Sequence, residues 1–257
     1  TQPDSLLSLP RNVFIEGTLQ VDGSSTFIGD VTITGNLIAQ GVGEGAPLKN
    51  ILVVTEGVPR NPQEFNSVTE ALDAIGTTFP AADATNQYIV RVGPGIFVED
   101  NPIEAKPFVS IIGDDEDRTI IEPQNSASDL FTVVGQSKLE RLFLRGVSGS
   151  TAAAVRFNGG GRFEIRDTTF GSNTIQIAQR STIPAVSLFQ ADNINVIDGS
   201  DFDIGIDIQA DDNSFPAIML ADSVTWDAFH IPSTVSQVVN VVGDRAFFFG
   251  EALRFSG

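Results

Sequence analysis

Tyr88-Ile89-Val90-Arg91-Val92-Gly93-Pro94-Gly95-Ile96-Phe97-Val98-Glu99 places two short apolar runs on either side of a Gly-Pro-Gly turn. Both runs are rich in β-branched and aromatic residues and too short for an ordinary helix, so both read as strands. Just upstream, Ser67 and Glu70 form a capping box and Gly76 supplies a stop. Phe65, Val68, Leu72 and Ile75 share one face at helical spacing. This is the one convincing helix in the chain, near 67–75. Downstream, apolar runs such as Val109–Ile112, Thr119–Ile121, Leu130–Val134, Phe163–Ile165, Ile204–Ile208 and Ala217–Leu220 alternate with Gly, Asn and Asp turns. Larger units recur at roughly 20–30 residues, a solenoid length rather than a sandwich spacing. The expected fold is all-β, a right-handed parallel β-helix over 49–257 with a short N-terminal capping helix.

A different pattern precedes it. Gly17, Gly23, Gly29, Gly35 and Gly41 recur every six residues. Between them lie the mostly apolar pairs Leu19 and Val21, Ser25 and Phe27, Val31 and Ile33, Leu37 and Ala39. Each hexad is a short strand with one buried face, then a turn. One copy buries too little to stand alone, so copies must stack on one another or on other chains. Residues 1–10 read as an extended leader and 11–48 as a stalk that assembles chains into a homotrimer.

Composition limits the partners. The chain has 257 residues, is 41% hydrophobic and carries a formal net charge of −18. Nucleic acid is disfavoured because phosphate binding needs a basic face. No apolar run reaches the about 18 residues of a membrane span. There is no cysteine, hence no disulfide and no cysteine metal site. Gly159-Gly160-Gly161 lacks the Lys and Ser/Thr of a phosphate loop, and no cofactor is expected. His230 is the single histidine, and no nucleophile elbow accompanies it.

The stretch from Phe65 to Ile121 resembles the opening of pectin-lyase-like β-helix proteins, pectinesterases in particular. Its elements are the capping helix, Gly95-Ile96-Phe97-Val98-Glu99, then Gly113-Asp114 and Thr119-Ile120-Ile121. The resemblance implies the fold. It does not imply the esterase chemistry. Thr151 of Thr151-Ala152-Ala153-Ala154-Val155 stands where that family has glutamine. Asn173 of Ser172-Asn173-Thr174-Ile175 stands where it has the acid/base aspartate. An amide cannot donate and retake a proton at neutral pH. Asp201-Phe202-Asp203-Ile204-Gly205 does match the nucleophile motif, and the arginine motif has no counterpart. The hexads are similar to glycine-rich tracts of phage and virus fibres, in which three chains wrap together.

The densest acidic region runs from Asp192 through Asp198, Asp201, Asp203, Asp207 and Asp211 to Asp212. It admits three readings: solvated turn residues, a carboxylate pair for glycoside hydrolysis, or calcium ligands. If the chain is an enzyme, Asp201 and Asp203 are the expected catalytic pair. Trp226 and Phe229 offer a sugar-stacking platform or core packing. Phe247-Phe248-Phe249 must point alternate rings to opposite faces, one filling the solenoid and one needing a cover.

The expectation is a non-enzymatic virion protein, a fibre, spike or tailspike component. It is located on the particle surface and contacts other virion proteins and a host glycan. Its assembly residues are Gly17, Leu19, Val21, Gly23, Phe27, Gly29, Val31, Ile33, Gly35, Leu37 and Gly41. The rivals are a tailspike-type polysaccharide hydrolase or lyase and a bacterial surface adhesin. An exposed groove with two carboxylates and aromatic rings favours the enzyme. A flat body with apolar faces buried between chains favours structure.

Overall fold

The computed structural model describes residues 50–180, 187–196, 204–210, 217–227, 237–243, 246–251 and 253–256. The hexads, Asp201, Asp203 and His230 lie outside these residues. The described strands pair in parallel throughout, and the protein is a parallel β-solenoid, as the strand pattern predicts.

Each turn visits three faces. The first sheet stacks Ile51–Val54, Tyr88–Val92, Val109–Gly113 and Ser137–Glu140. It continues through the first halves of Gly161–Phe170, Ser187–Val196 and Ala217–Asp227 to Ala246–Glu251. The second stacks Gly95–Glu99, Thr119–Pro123 and Phe143–Leu144, then the second halves of those long strands, then Arg254–Ser256. The third runs through Ile103–Ala105, Phe131–Val133, Ala153–Phe157, Ile175–Arg180, Ile204–Gln209 and Gln237–Val242. A turn is 21 residues from Tyr88 to Val109, 28 from Ser110 to Lys138, 26 from Gly161 to Ser187 and 30 from Ser187 to Ala217.

Alternation along each strand sends every second side chain inward. In-register pairing then stacks these into columns along the axis. Val90, Ile111, Leu139, Ile165, Ala191 and Ala221 form one, and Phe97, Ile121, Leu144, Phe170 and Val196 another. The Phe157, Phe163 and Phe189 rings meet at centroid distances of 5.5, 4.8 and 5.9 Å and fill the middle turns. Among them sits one buried amide. Gln179 Nε2 donates to the carbonyls of Ser187 and Ile218, tying the third sheet to the first.

Between the first and second sheets the long strands bend at Asp167, Asn193 and Ser223, each with positive φ, and Arg141 takes the same place one turn earlier. Asn and Asp tolerate this left-handed conformation better than other non-glycine residues. Asn193 Nδ2 also donates to Asp167 Oδ1 at 2.6 Å, linking consecutive corners.

Helix α1 (Val68–Ala74) closes the N-terminal end, with Val68, Ala71, Leu72 and Ala74 buried. Seven residues are too few to hold a helix alone. Ser67 caps it, accepting from the Glu70 amide at 3.3 Å. The larger contribution comes from Glu99, which the capping-box reading does not reveal. This buried carboxylate accepts from Ser67 Oγ and the Val68 amide at 2.6 Å each, and from the Thr69 amide at 3.1 Å. At the other end Lys106 Nζ donates to the carbonyls of Leu72 and Ile75 at 2.6 and 2.8 Å. Anion at the N-terminus and cation at the C-terminus match the helix dipole.

Glu99→Ala leaves one buried and one half-buried amide without an acceptor and is expected to cost about 3 kcal/mol, read as a fall in melting temperature. Gly113→Ala is expected to cost at least about 2 kcal/mol, because a Cβ there would lie 1.9 Å from the Arg141 carbonyl oxygen. An unchanged melting temperature in either variant contradicts the corresponding contact.

Candidate functional site

The outward-facing side chains of the first sheet form their own columns. One runs Glu140, Arg166, Asp192, Asp222, Glu251, in register from strand to strand. The neighbouring column, two residues upstream, runs Lys138, Glu164, Gln190, Leu220, Phe249. A third holds Arg162, Leu188, Ile218 and Phe247.

The face changes character along its length. In the earlier turns each carboxylate meets a cation. Glu140 pairs with Lys138 and lies 3.9 Å from Arg141. Glu164 pairs with Arg166 at 2.6 Å. Arg166 also reaches Asp192 at 3.5 Å, and Arg162 donates to Gln190 Oε1 at 2.6 Å. Beyond Asp192 this stops. Among the described residues Asp222 accepts the Ser223 hydroxyl at 3.2 Å, and neither Asp222 nor Glu251 forms an ion pair. At the same level Leu220, Phe247 and Phe249 are exposed, Phe249 by 58%. Leu220 and Phe249 line a cavity of about 340 Å³ together with Gln190, Asp222 and Glu251. A second hollow, about 180 Å³, lies on the same face in the earlier turns, beside Gln136, Lys138, Arg162 and Glu164.

This arrangement offers carboxylates on consecutive rungs about 4.8 Å apart beside apolar rings that can lie against a sugar face. The Phe triplet behaves as alternation requires: Phe248 packs on the core while Phe247 and Phe249 face out.

The other sequence candidates fall elsewhere. Asn173 is buried at the turn into the third sheet. It accepts from the Val147 amide and donates to the carbonyls of Leu144 and Gly171. It fastens that turn and is far in role from an acid/base position. Thr151 is exposed before the strand Ala153–Phe157 of the same sheet. The acidic region is not one cluster. Asp192 faces out from the first sheet, whereas Asp207 is buried on the third, held by Arg180 at 2.5 Å and by Gln209 and Asn240. Asp198, Asp201, Asp203, Asp211 and Asp212 lie outside the described residues, as do the assembly glycines. Among the described residues no three carboxylates or imidazoles converge as metal ligands. Asp222 and Glu251 were not among the sequence candidates. Their signal was the recurrence of Ala191-Asp192-Asn193-Ile194 as Ala221-Asp222-Ser223-Val224.

An acidic turn adjoins this face. Burial raises the Glu116 carboxyl above the ordinary glutamate range, with Asp117, Asp167 and Asp115 adding to it. Asp115 is lowered by its bond from Arg118.

No family model matches the chain, and no curated protein matches it in sequence. Solved structures do. A pectin methylesterase in complex with a hexasaccharide matches at TM-score 0.44 and 11% identity, over 72% of this chain and 68% of that one. The D178A mutant of a pectin methylesterase, also with a hexasaccharide, matches at 0.45 and 10% over the same shares. Pectin methylesterase PemA from Erwinia chrysanthemi matches at 0.44 and 10%, over 80% and 66%. The expectation of a non-enzymatic virion component is corrected: the solved structures that match are pectin methylesterases. At such identities the likeness shows the fold alone, and the chain's own outer face must supply any chemistry. That face carries a groove with carboxylates and aromatic rings, the feature set against a flat structural body above.

A group whose folded-state pKa is raised stabilises the fold below its unfolded value and loses that contribution as pH rises through the folded one. Glu116→Gln is therefore expected to raise the melting temperature at pH 7, and the gain should vanish below about pH 4. A gain that is equal at both pH values would show that charge at Glu116 is not its source.

Proposed function

We propose that the protein hydrolyses an extended polysaccharide laid along the outer face of its first sheet. One observation carries this reading: a hollow lined by Asp222 and Glu251 beside Leu220 and Phe249, with Asp192 on the next rung of the same outward column. The rung spacing of about 4.8 Å is close to the length of one pyranose unit, so a glycan running parallel to the axis meets one rung per sugar.

Adjacent rungs also set the chemistry. A retaining glycosidase needs two carboxyl groups about 5–5.5 Å apart, which neighbouring strands supply. Arg166 Nε stands 3.5 Å from Asp192, a cation beside the proposed nucleophile. Asp222 takes the role of proton donor to the departing glycosidic oxygen, then of base toward the water that hydrolyses the glycosyl ester. A second hollow on the same face, several rungs earlier, offers a further contact for a long chain.

The test is a reducing-end assay on a panel of neutral, acidic and amino polysaccharides. Asp192→Asn and Asp222→Asn should each lower turnover at least about 100-fold with unchanged melting temperatures. If the unmodified protein releases no reducing ends from any polymer, or both variants keep full activity, the hydrolytic reading fails.

A further inference from the structure

We infer that this groove takes an amino-sugar polymer, a glycan bearing ammonium groups, in preference to a neutral or a uronic-acid one. The inference rests on reading the face as a glycan site and adds the class of glycan.

Charge complementarity carries it. Along one outward column the signs run Glu140, Arg166, Asp192 and then Asp222, Glu251. Like charges directly opposite across a strand pair are destabilising. The earlier turns relieve this with Lys138, Arg141, Arg162 and Arg166. The later turns do not: from residue 181 onward the sequence holds eleven Asp and Glu but only two Lys and Arg. The pair Asp222–Glu251, which meets no cation among the described residues, also coincides with the exposed rings of Phe247 and Phe249 and with the cavity beside Leu220. A ligand that satisfies all three features has an apolar face for the rings and a cation at each rung spacing. A polymer of glucosamine has both. A polyuronate would place carboxylate against carboxylate, and a neutral glycan would leave the charge column unpaired.

Calorimetric titration of the full chain at low salt tests this, with four probes: the glucosamine hexamer, its N-acetylated counterpart, an oligogalacturonate hexamer and hexalysine. Each exposed ion pair is worth up to about fivefold in affinity. The glucosamine hexamer should therefore bind at least about tenfold tighter than the N-acetylated one. Glu251→Gln should cut that preference about fivefold with an unchanged melting temperature. Raising the ionic strength should shrink it as well. Equal binding of the two hexamers, or tighter binding of the galacturonate, overturns the amino-sugar assignment and leaves the glycan reading intact. Hexalysine binding as tightly as the glucosamine hexamer also overturns it, by reducing the effect to bare cation attraction. Binding of no sugar at all defeats the glycan reading beneath it.

Discussion

In a parallel solenoid each residue lies over its counterpart one turn earlier, about 4.8 Å away. Everything else in this structure answers to that register. Inward, it stacks apolar on apolar: the Ile111, Leu139 and Ile165 column is continuous because each turn repeats the alternation in phase. Outward, it stacks charge on charge, where repetition is a penalty and not a gain. The early turns resolve the conflict by alternating sign, as Glu140, Arg166 and Asp192 do. The last turns leave it unresolved at Asp222 and Glu251.

The register also demands a beginning. A stack of parallel strands presents an open apolar end, and α1 covers it here. Its own length gives it little stability, so the first turn grips it from both sides through Glu99 and Lys106. The glutamate that ends Gly95–Glu99 is thus a structural anchor. Its carboxylate is spent on backbone amides, 31 residues back along the chain at Val68, and leaves no lone role for chemistry.

The solenoid was legible in the sequence because alternation, turn residues and a capping helix are local signals, and each survives in any single turn. The helix near 67–75 and the strands around Gly93-Pro94-Gly95 sit where those signals put them. The outer face was not legible, for a geometric reason. Turn length varies from 21 to 38 residues along the chain, so no single period leads to the 30- and 29-residue steps that bring Asp192, Asp222 and Glu251 into line. Proximity in sequence misled in the opposite sense. Asp192 and Asp207 are close along the chain yet lie on different sheets, one on the outer face beside Arg166 and one buried against Arg180. The motif match at Asn173 failed likewise, since its amide side chain is consumed in holding a turn.

Charge alone does not mark the groove, because a chain at −18 carries acid on every side. Dispersed surface carboxylates keep a protein soluble, and they do so best when spaced apart or interleaved with cations. The column on the first sheet does neither in its last turns. It sets carboxylates on directly paired strands and removes the cations that the same face supplies a few rungs earlier. It also exposes two phenyl rings at that level, an added cost in water. Local choices that each oppose stability are thus gathered at one place on an otherwise regular repeat, which is the basis for proposing a contact surface there.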